Sequence, residues 1–132
     1  LLIESYQVNF NLSHEQSSSI SKDKITLLKD YIAENNTYVI GVFSESYLIA
    51  FLWLYIYKYQ DEKRIHINQI IVSKENRGQG IAKRLMNEAE KIAFNNDINI
   101  IDLNVSEQNV DALRMYEKLG FSTDRRLMSK LI

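Results

Sequence analysis

The sequence has no cysteine, no proline and only four glycines among its 132 residues. The absence of cysteine excludes disulfides, thiolate zinc sites and a cysteine nucleophile, and it suits a reducing compartment. Histidine is nearly as scarce, since His14 and His66 are the only two, and we therefore expect no metal site. Sixteen Lys and Arg residues face seventeen Asp and Glu residues, which gives a net charge of −1. Without an overall field of one sign, we expect neither nucleic acid nor a membrane as a partner.

Long hydrophobic runs are also missing. The longest, YLIAFLWLYIY at 47–57, falls short of the ~20 residues that span a bilayer, and the first residues lack the pattern of a signal peptide. We therefore expect a soluble, cytoplasmic protein. The sequence has no internal repeat and no low-complexity segment that would mark a domain boundary, and its 45% hydrophobic content is enough for a core. These features predict a single domain over residues 1–132.

Hydrophobic periodicity predicts the helices, and stretches rich in β-branched and aromatic residues predict the first two strands, in one layered domain of the α/β class with a mixed sheet. The predicted order is a helix in 1–12, a loop at 14–19, a helix at 21–35 behind a Ser21 cap, strands at 37–43, 47–59 and 64–72, a helix at 81–94, a strand at 98–105, a helix at 110–119 and a last strand in the tail 121–132. Short polar turns join the first three strands, which should pair antiparallel. The helix that follows them makes a parallel βαβ unit with the fourth strand.

Two of the four glycines, Gly78 and Gly80, stand between the strand that ends at Val72 and the helix that begins at Ile81. A glycine loop between a strand and a helix N-terminus binds phosphate, because the N–H groups of the first turn lack intrahelical partners and glycine lets the backbone approach closely. The stretch lacks the GxxxxGK[ST] pattern of a P-loop. It also fails the GxGxxG pattern of dinucleotide-binding folds, because GQGIAK ends in Lys83.

The stretch RGQGIA does fit Arg-x-x-Gly-x-Gly/Ala, with Arg77, Gly80 and Ala82 at the fixed positions. It resembles the pyrophosphate-binding motif of the GNAT family of N-acetyltransferases, which use acetyl coenzyme A (acetyl-CoA). A second, more specific stretch, NVDALRMYEKLGF, has the family's residues at Asn109, Ala112, Tyr116, Gly120 and Phe121, and LNV at 103–105 precedes it. The resemblance covers about residues 37–132. Family members begin with a strand ahead of the first helix, so we expect an N-terminally truncated domain.

The resemblance implies an α+β GNAT fold, a mixed and mostly antiparallel sheet flanked by helices, with acetyl-CoA as cosubstrate. It assigns the pyrophosphate to the main chain of Arg77, Gly78, Gln79, Gly80, Ile81 and Ala82. It assigns the pantetheine arm to the main chain of Ile70, Ile71 and Val72, where this strand would splay from its parallel neighbour at a bulge. Asn104, Asn109 and Ala112 belong to the same cofactor neighbourhood. Helix capping is the alternative role for Asn109, and we favour it as that residue's physical role.

The resemblance also implies catalytic roles for two residues. Tyr116 matches the family's usual acid, which protonates the departing thiolate, and core packing is its alternative. His66 lies six residues before Val72, a position that carries Glu in many relatives and His in some that act on arylalkylamines. It is a candidate base or anchor for a proton-carrying water, shares a strand face with Asn68, and is equally a partly exposed strand histidine. Aromatic residues also repeat at every second position of the strand at 47–59 and form an aromatic stripe: Phe51, Trp53, Tyr55, Tyr57 and Tyr59. The stripe lines an acceptor pocket or a dimer surface, or else it packs in the core. Core packing is favoured for Phe51 and Trp53.

Together these features predict an N-acetyltransferase that moves an acetyl group from acetyl-CoA to a primary amine of a small molecule or peptide. The amine would attack directly in a ternary complex, and the protein would be a monomer or homodimer. The alternative is a noncatalytic acyl-CoA-binding sensor or interaction module. Tyr116 argues against that alternative, whereas the missing Glu at position 66 argues mildly for it.

Overall fold

The computed structural model describes residues 1–3, 6–7, 11–34 and 36–132. Its named elements follow the order α1 His14–Ala33, β1 Thr37–Ser44, β2 Tyr47–Tyr59, β3 Glu62–Val72, α2 Ile81–Asn95, β4 Ile101–Leu103 and α3 Val110–Lys118, with a 3₁₀ turn at Lys74–Asn76. Of the helix predicted for 1–12, residues 2, 3, 6 and 7 are helical, and residues 4, 5 and 8–10 lie outside the described residues. The longest described helix is too polar to cross a membrane, and no other helix in the described ranges meets the requirement.

The sheet has the strand order β1-β2-β3-β4. β1, β2 and β3 pair antiparallel, and β4 pairs parallel to β3. The turn between β2 and β3 is Gln60 and Asp61, both with left-handed backbone at φ 48° and 66°, the conformation that matches the twist of a two-residue hairpin. The predicted hairpins and the parallel βαβ unit are therefore confirmed.

The two faces of the sheet carry separate apolar clusters because side chains alternate along a strand. On one face, β2 and β3 pack against α2 in a cluster of fully or nearly fully buried residues, which includes Leu52, Leu54, Ile65, Ile67, Leu85 and Met86. On the other face, Phe51, Trp53 and Ile71 form a smaller cluster, against which Leu28 of α1 packs. The sheet thus lies between α1 on one side and α2 on the other.

The prediction of a loop at 14–19 and of a Ser21 cap is wrong. Helix α1 begins at His14, and Ser21 lies inside it as a buried residue, 4% exposed. The N-terminal cap is Ser13: the Gln16 N–H donates to Ser13 Oγ at 3.2 Å, and the Ser13 N–H donates to Gln16 Oε1 at 3.0 Å. This reciprocal pair is a capping box, which satisfies two backbone donors and starts the helix through a serine-rich stretch.

The predicted strand in the tail is also wrong, because residues 121–132 form no strand. Leu127, Met128, Leu131 and Ile132 are exposed rather than arranged on one buried face. The edge strand β4 is shorter than the predicted 98–105 and spans only Ile101–Leu103. Three residues present few backbone groups for another strand to pair with.

Candidate functional site

Strands β3 and β4 part before β3 ends. They pair only at Ile65 with Ile101, His66 with Asp102 and Ile67 with Leu103. β3 then continues to Val72 while still paired with β2 on its other side. No described strand pairs with the β4-side edge of residues 68–72. Main-chain donors and acceptors along this edge therefore lack a strand partner and are available to an extended ligand, although the Val72 carbonyl already accepts one hydrogen bond, from Arg77.

A β-bulge coincides with the point where the strands part. Trp53 pairs with Gln69 and Leu54 pairs with Ile67, so Asn68 is an extra residue in β3. A bulge bends its strand and increases the local twist, which turns the end of β3 away from β4. Beyond the bulge, Ile70 and Val72 pack toward the α2 side, whereas Ile71 joins the cluster on the α1 side.

The glycine loop joins the end of β3 to the N-terminus of α2. Gly78 and Gly80 have left-handed backbone at φ 74° and 76°, and nothing lies within 4 Å of a Cβ built on either residue. No side chain caps α2 at Gly80, and its first turn contains no acidic residue. The start of α2 therefore presents backbone N–H groups and the positive end of the helix dipole to open space.

Side chains brace this loop. The Arg77 Nε donates to the Val72 carbonyl oxygen at 3.1 Å, which ties the loop back to the end of β3. Asn76 Nδ2 donates to Ser73 Oγ at 2.8 Å within the preceding turn. The guanidinium of Arg77 thus has a structural contact that its place in the motif did not predict.

His66 contacts a carboxylate that sequence reasoning missed. Nδ1 of His66 lies 2.6 Å from Oδ1 of Asp102, its partner residue on β4. The Tyr57 hydroxyl donates to Oδ2 of the same carboxylate at 2.5 Å. The sequence does show Asp102 as a single carboxylate inside the apolar run IIDL. It does not reveal the parallel register that places Asp102 opposite His66.

Aromatic and charged groups surround this pair. The Tyr55 ring lies 5.2 Å from the His66 ring, between centroids. Arg64 approaches Asp102 at 4.0 Å but forms its shorter contact, 2.8 Å, with Glu62. Burial, with a smaller contribution from the hydrogen bond to Asp102, raises the pKa of Tyr57 to about 12. The phenol therefore stays protonated and remains a donor to the carboxylate.

Tyr116 lies on the opposite face of the sheet from His66. It projects from α3 against the α2-side cluster, and its ring centroid is 5.6 Å from that of Phe121. Burial raises the pKa of Tyr116 to about 12, so its hydroxyl is protonated at neutral pH. Its apolar setting is compatible with both packing and proton donation.

The remaining predicted cofactor residues follow β4. Asn104 is exposed directly after the strand. Asn109 caps α3, because its side chain accepts a hydrogen bond from the Ala112 N–H at 3.2 Å. The capping role that we favoured for Asn109 is confirmed, and it also occupies the main-chain donor of Ala112.

The aromatic stripe of β2 divides between core and site. Phe51 and Trp53 are 9% and 1% exposed, which confirms the prediction of core packing for both. Tyr55 lines a cavity of about 210 Å³ together with Lys24, Leu27, Trp53 and Asn68. This cavity lies on the His66 side of the sheet, between α1 and the strands.

No cluster of three or more His, Cys, Asp or Glu residues suited to a metal ion occurs in the part of the chain that the structure describes.

Comparison with known proteins identifies the class that this fold and loop define. The model of the acetyltransferase (GNAT) family matches residues 2–121, and the chain belongs to that family. The catalytic subunit NAA20 of the N-terminal acetyltransferase B complex of Arabidopsis thaliana is 42% identical over 64 residues. That match covers 48% of this chain and only 37% of the curated relative's length.

Solved structures share the fold. A proposed acetyl transferase of Pyrococcus furiosus superposes with a TM-score of 0.78 at 23% identity, over 99% of this chain and 91% of that one. The aminoglycoside N-acetyltransferase AAC(6′)-Iy, solved with CoA, gives a TM-score of 0.73 at 16% identity, over 84% and 87% of the two chains. The predicted mixed, mostly antiparallel GNAT sheet flanked by helices is therefore confirmed.

Proposed function

We propose that this protein transfers an acetyl group from acetyl-CoA to a primary amine of a small molecule or peptide. The observation that carries the proposal is the juxtaposition of the braced glycine loop with the open edge of β3. One element offers N–H groups to a pyrophosphate and the other offers main-chain pairing to an amide-containing arm. Membership of the acetyltransferase family supports the same chemistry.

The residues present fit acetyl-CoA. Open space at the Cβ positions of Gly78 and Gly80 leaves room for phosphate oxygens close to the backbone. The pyrophosphate would contact the main chain of Arg77–Ala82, and the pantetheine arm would lie along Ile70–Val72. Asn104, Asn109 and Ala112 would border the arm from the other side of the gap between β3 and β4.

The thioester supplies the acetyl group. Two side chains of this protein, His66 and Tyr116, would accept and donate protons on opposite sides of the thioester. Because the thioester would lie in the gap between two strands, groups on both faces of the sheet have access to it. His66 would accept a proton from the amine, directly or through water, on the α1 side. Tyr116 would give its hydroxyl proton to the departing sulfur on the α2 side. The amine attacks directly, so both substrates are bound together.

The acceptor proposal rests on two kinds of relative. NAA20 is the catalytic subunit of an N-terminal acetyltransferase complex, and the solved neighbours include aminoglycoside acetyltransferases. The cavity beside Tyr55 supports an acceptor on the His66 side of the sheet. We therefore propose an amine acceptor without restricting it to peptides or to small molecules.

The test is release of free thiol from acetyl-CoA with a panel of peptide N-termini, polyamines and aminoglycosides. Acceptor-dependent thiol release, with acetylation of the amine by mass spectrometry, is the expected result. Binding of acetyl-CoA without turnover on any acceptor would instead support the acyl-CoA sensor. Absence of binding would contradict both functions.

A further inference from the structure

We propose that Asp102 is a positioning residue that fixes the imidazole of His66 through Nδ1 and thereby makes Nε2 the proton acceptor of the reaction. The proposal rests on the acetyltransferase function proposed above and deepens it. It assigns a role to a carboxylate that belongs to neither sequence motif.

Backbone pairing aligns the two side chains. His66 and Asp102 are direct partners in the parallel ladder, one residue pair before β3 and β4 part. The contact of 2.6 Å therefore sits beside the gap in which the thioester would lie. The two side chains are 17% and 31% exposed, so the pair is partly shielded from water but still open to a substrate.

A third strand holds the carboxylate from its other oxygen. Tyr57 of β2 donates to Oδ2 of Asp102, while Oδ1 contacts His66. Side chains from β2, β3 and β4 thus form one hydrogen-bonded row across the sheet. A carboxylate fixed at both oxygens restricts the orientation of the imidazole more strongly than a single exposed contact.

The chemistry follows from the two nitrogens of histidine. When Nδ1–H donates to a carboxylate, Nε2 of the neutral ring carries the lone pair. As the C–N bond forms and the C–S bond breaks, the amine proton moves to Nε2, and the proton of the Tyr116 hydroxyl moves to sulfur. Asp102 stabilises the imidazolium until its proton leaves to solvent, and the Tyr116 phenolate takes a proton from solvent. The products are the amide and the CoA thiol.

Other groups around His66 have different contacts. Tyr55 and Tyr57 face the ring from β2. Arg64 of β3 pairs with Glu62, and Lys24 of α1 lines the neighbouring cavity with Tyr55. Among the described residues, Asp102 is the only carboxylate that contacts His66. The pH dependence of the site should therefore respond to Asp102 rather than to Glu62.

The first test compares Asp102→Asn with Glu62→Gln. The second substitution removes a nearby carboxylate that pairs with Arg64 and does not contact His66. We expect Asp102→Asn to lower kcat by about 100-fold, with acetyl-CoA affinity unchanged. The shape of its pH–rate profile should also change, because the reacting imidazole loses the carboxylate that orients it. Glu62→Gln should keep both the rate and the profile. The double variant His66→Ala/Asp102→Asn should be no slower than His66→Ala, because the two residues act as one unit.

A purely structural role for Asp102 would lower thermal stability but leave kcat per folded molecule and the pH profile unchanged, and this result would overturn the proposal. Additive losses in the double variant would overturn it equally.

Nitrogen NMR of the imidazoles provides a readout on the wild-type protein alone, without an acceptor and without dependence on the folding of a variant. The neutral His66 ring should carry its proton on Nδ1 in the wild type, with His14 as an internal reference. A neutral ring with its proton on Nε2 would overturn the proposal. If the wild type transfers no acetyl group but shows the Nδ1–H tautomer, the proposed function fails while the positioning of the ring stands.

Discussion

Tyr116 joins two properties that are usually found apart, a hydroxyl group and a mainly apolar environment. Burial against the α2-side cluster disfavours the phenolate and holds the pKa at about 12. The hydroxyl is consequently available as a proton donor at every pH at which the protein would work. The ring also packs edge-on to Phe121. We therefore assign proton donation to the hydroxyl oxygen of Tyr116 and packing to its ring.

Replacing Tyr116 by Phe separates these contributions, because the ring is kept and the oxygen is lost. We expect kcat to fall by about 10²- to 10⁴-fold, the usual effect of losing a general acid, with acetyl-CoA affinity unchanged. Steady-state kinetics and calorimetry measure the two quantities. Tyr38→Phe is the matched control, since Tyr38 packs against the same cluster. An unaltered kcat in Tyr116→Phe, with chemistry rate-limiting, would leave Tyr116 with a packing role only.

At the scale of elements, the start of α1 is stabilised by the hydrogen bonds between Ser13 and Gln16. The Ser13–Gln16 capping box satisfies donors that no intrahelical carbonyl reaches. Ser13→Ala removes the Oγ acceptor, and we expect it to lower the free energy of unfolding by about 1 kcal/mol. Urea denaturation measures the change. Ser19→Ala, at an exposed position inside the same helix, should leave stability unchanged or slightly higher. Equal effects of the two substitutions would contradict the cap.

Local sequence was sufficient to predict most elements. β-branched and aromatic residues mark β1 and β2, although β2 is buried on both faces at 50–54, and α2 buries a stripe with helical spacing. Prediction failed where the bounds of an element depend on specific hydrogen bonds or on a partner strand. The start of α1 depends on two hydrogen bonds at Ser13 that outweigh the loop-like composition of 14–19. The tail contains apolar residues but pairs with no described strand, and the edge strand β4 spans only Ile101–Leu103.

The candidate site was predictable only in part, for a similar reason. The glycine loop is local in sequence, so its motif and its position before α2 are visible without a structure. Asp102 is 36 residues from His66, and the two meet through the register of a parallel pair. That register joins two strands that α2 separates in the sequence, so no local pattern encodes it.

At the scale of the whole molecule, two tyrosines link stability to alkaline pH. The pKa values of Tyr57 and Tyr116 are about 12 in the folded protein, against about 10 for an unfolded chain. Above pH ~10 the unfolded chain loses these protons while the folded protein keeps them. Because the folded state then binds more protons, its stability falls as pH rises.

We therefore expect the free energy of unfolding to decline between pH ~10 and ~12, and the double variant Tyr57→Phe/Tyr116→Phe to decline less steeply. Urea denaturation at a series of pH values measures both slopes. Tyr47→Phe, at a strongly exposed position, is the control and should keep the wild-type slope. Identical slopes in the wild type and the double variant would contradict the raised pKa values.

The molecule as a whole is a sheet between α1 and α2 that opens on one side of β3, with the glycine loop at the end of the opening. The central claim is that this opening and this loop hold acetyl-CoA. A Glu side chain at Gly80 would put bulk and negative charge where the pyrophosphate would bind, at a backbone φ of 76°. Gly120, with φ 92° and equally open space around it, allows the same substitution with similar backbone strain outside the loop.

Calorimetric titration of acetyl-CoA into the wild type, Gly80→Glu and Gly120→Glu is the most direct test. We predict one binding site per chain in the wild type and in Gly120→Glu, and no measurable binding in a folded Gly80→Glu variant, with circular dichroism as the check of folding. Unchanged affinity in folded Gly80→Glu, or no binding by the wild type, would contradict the claim.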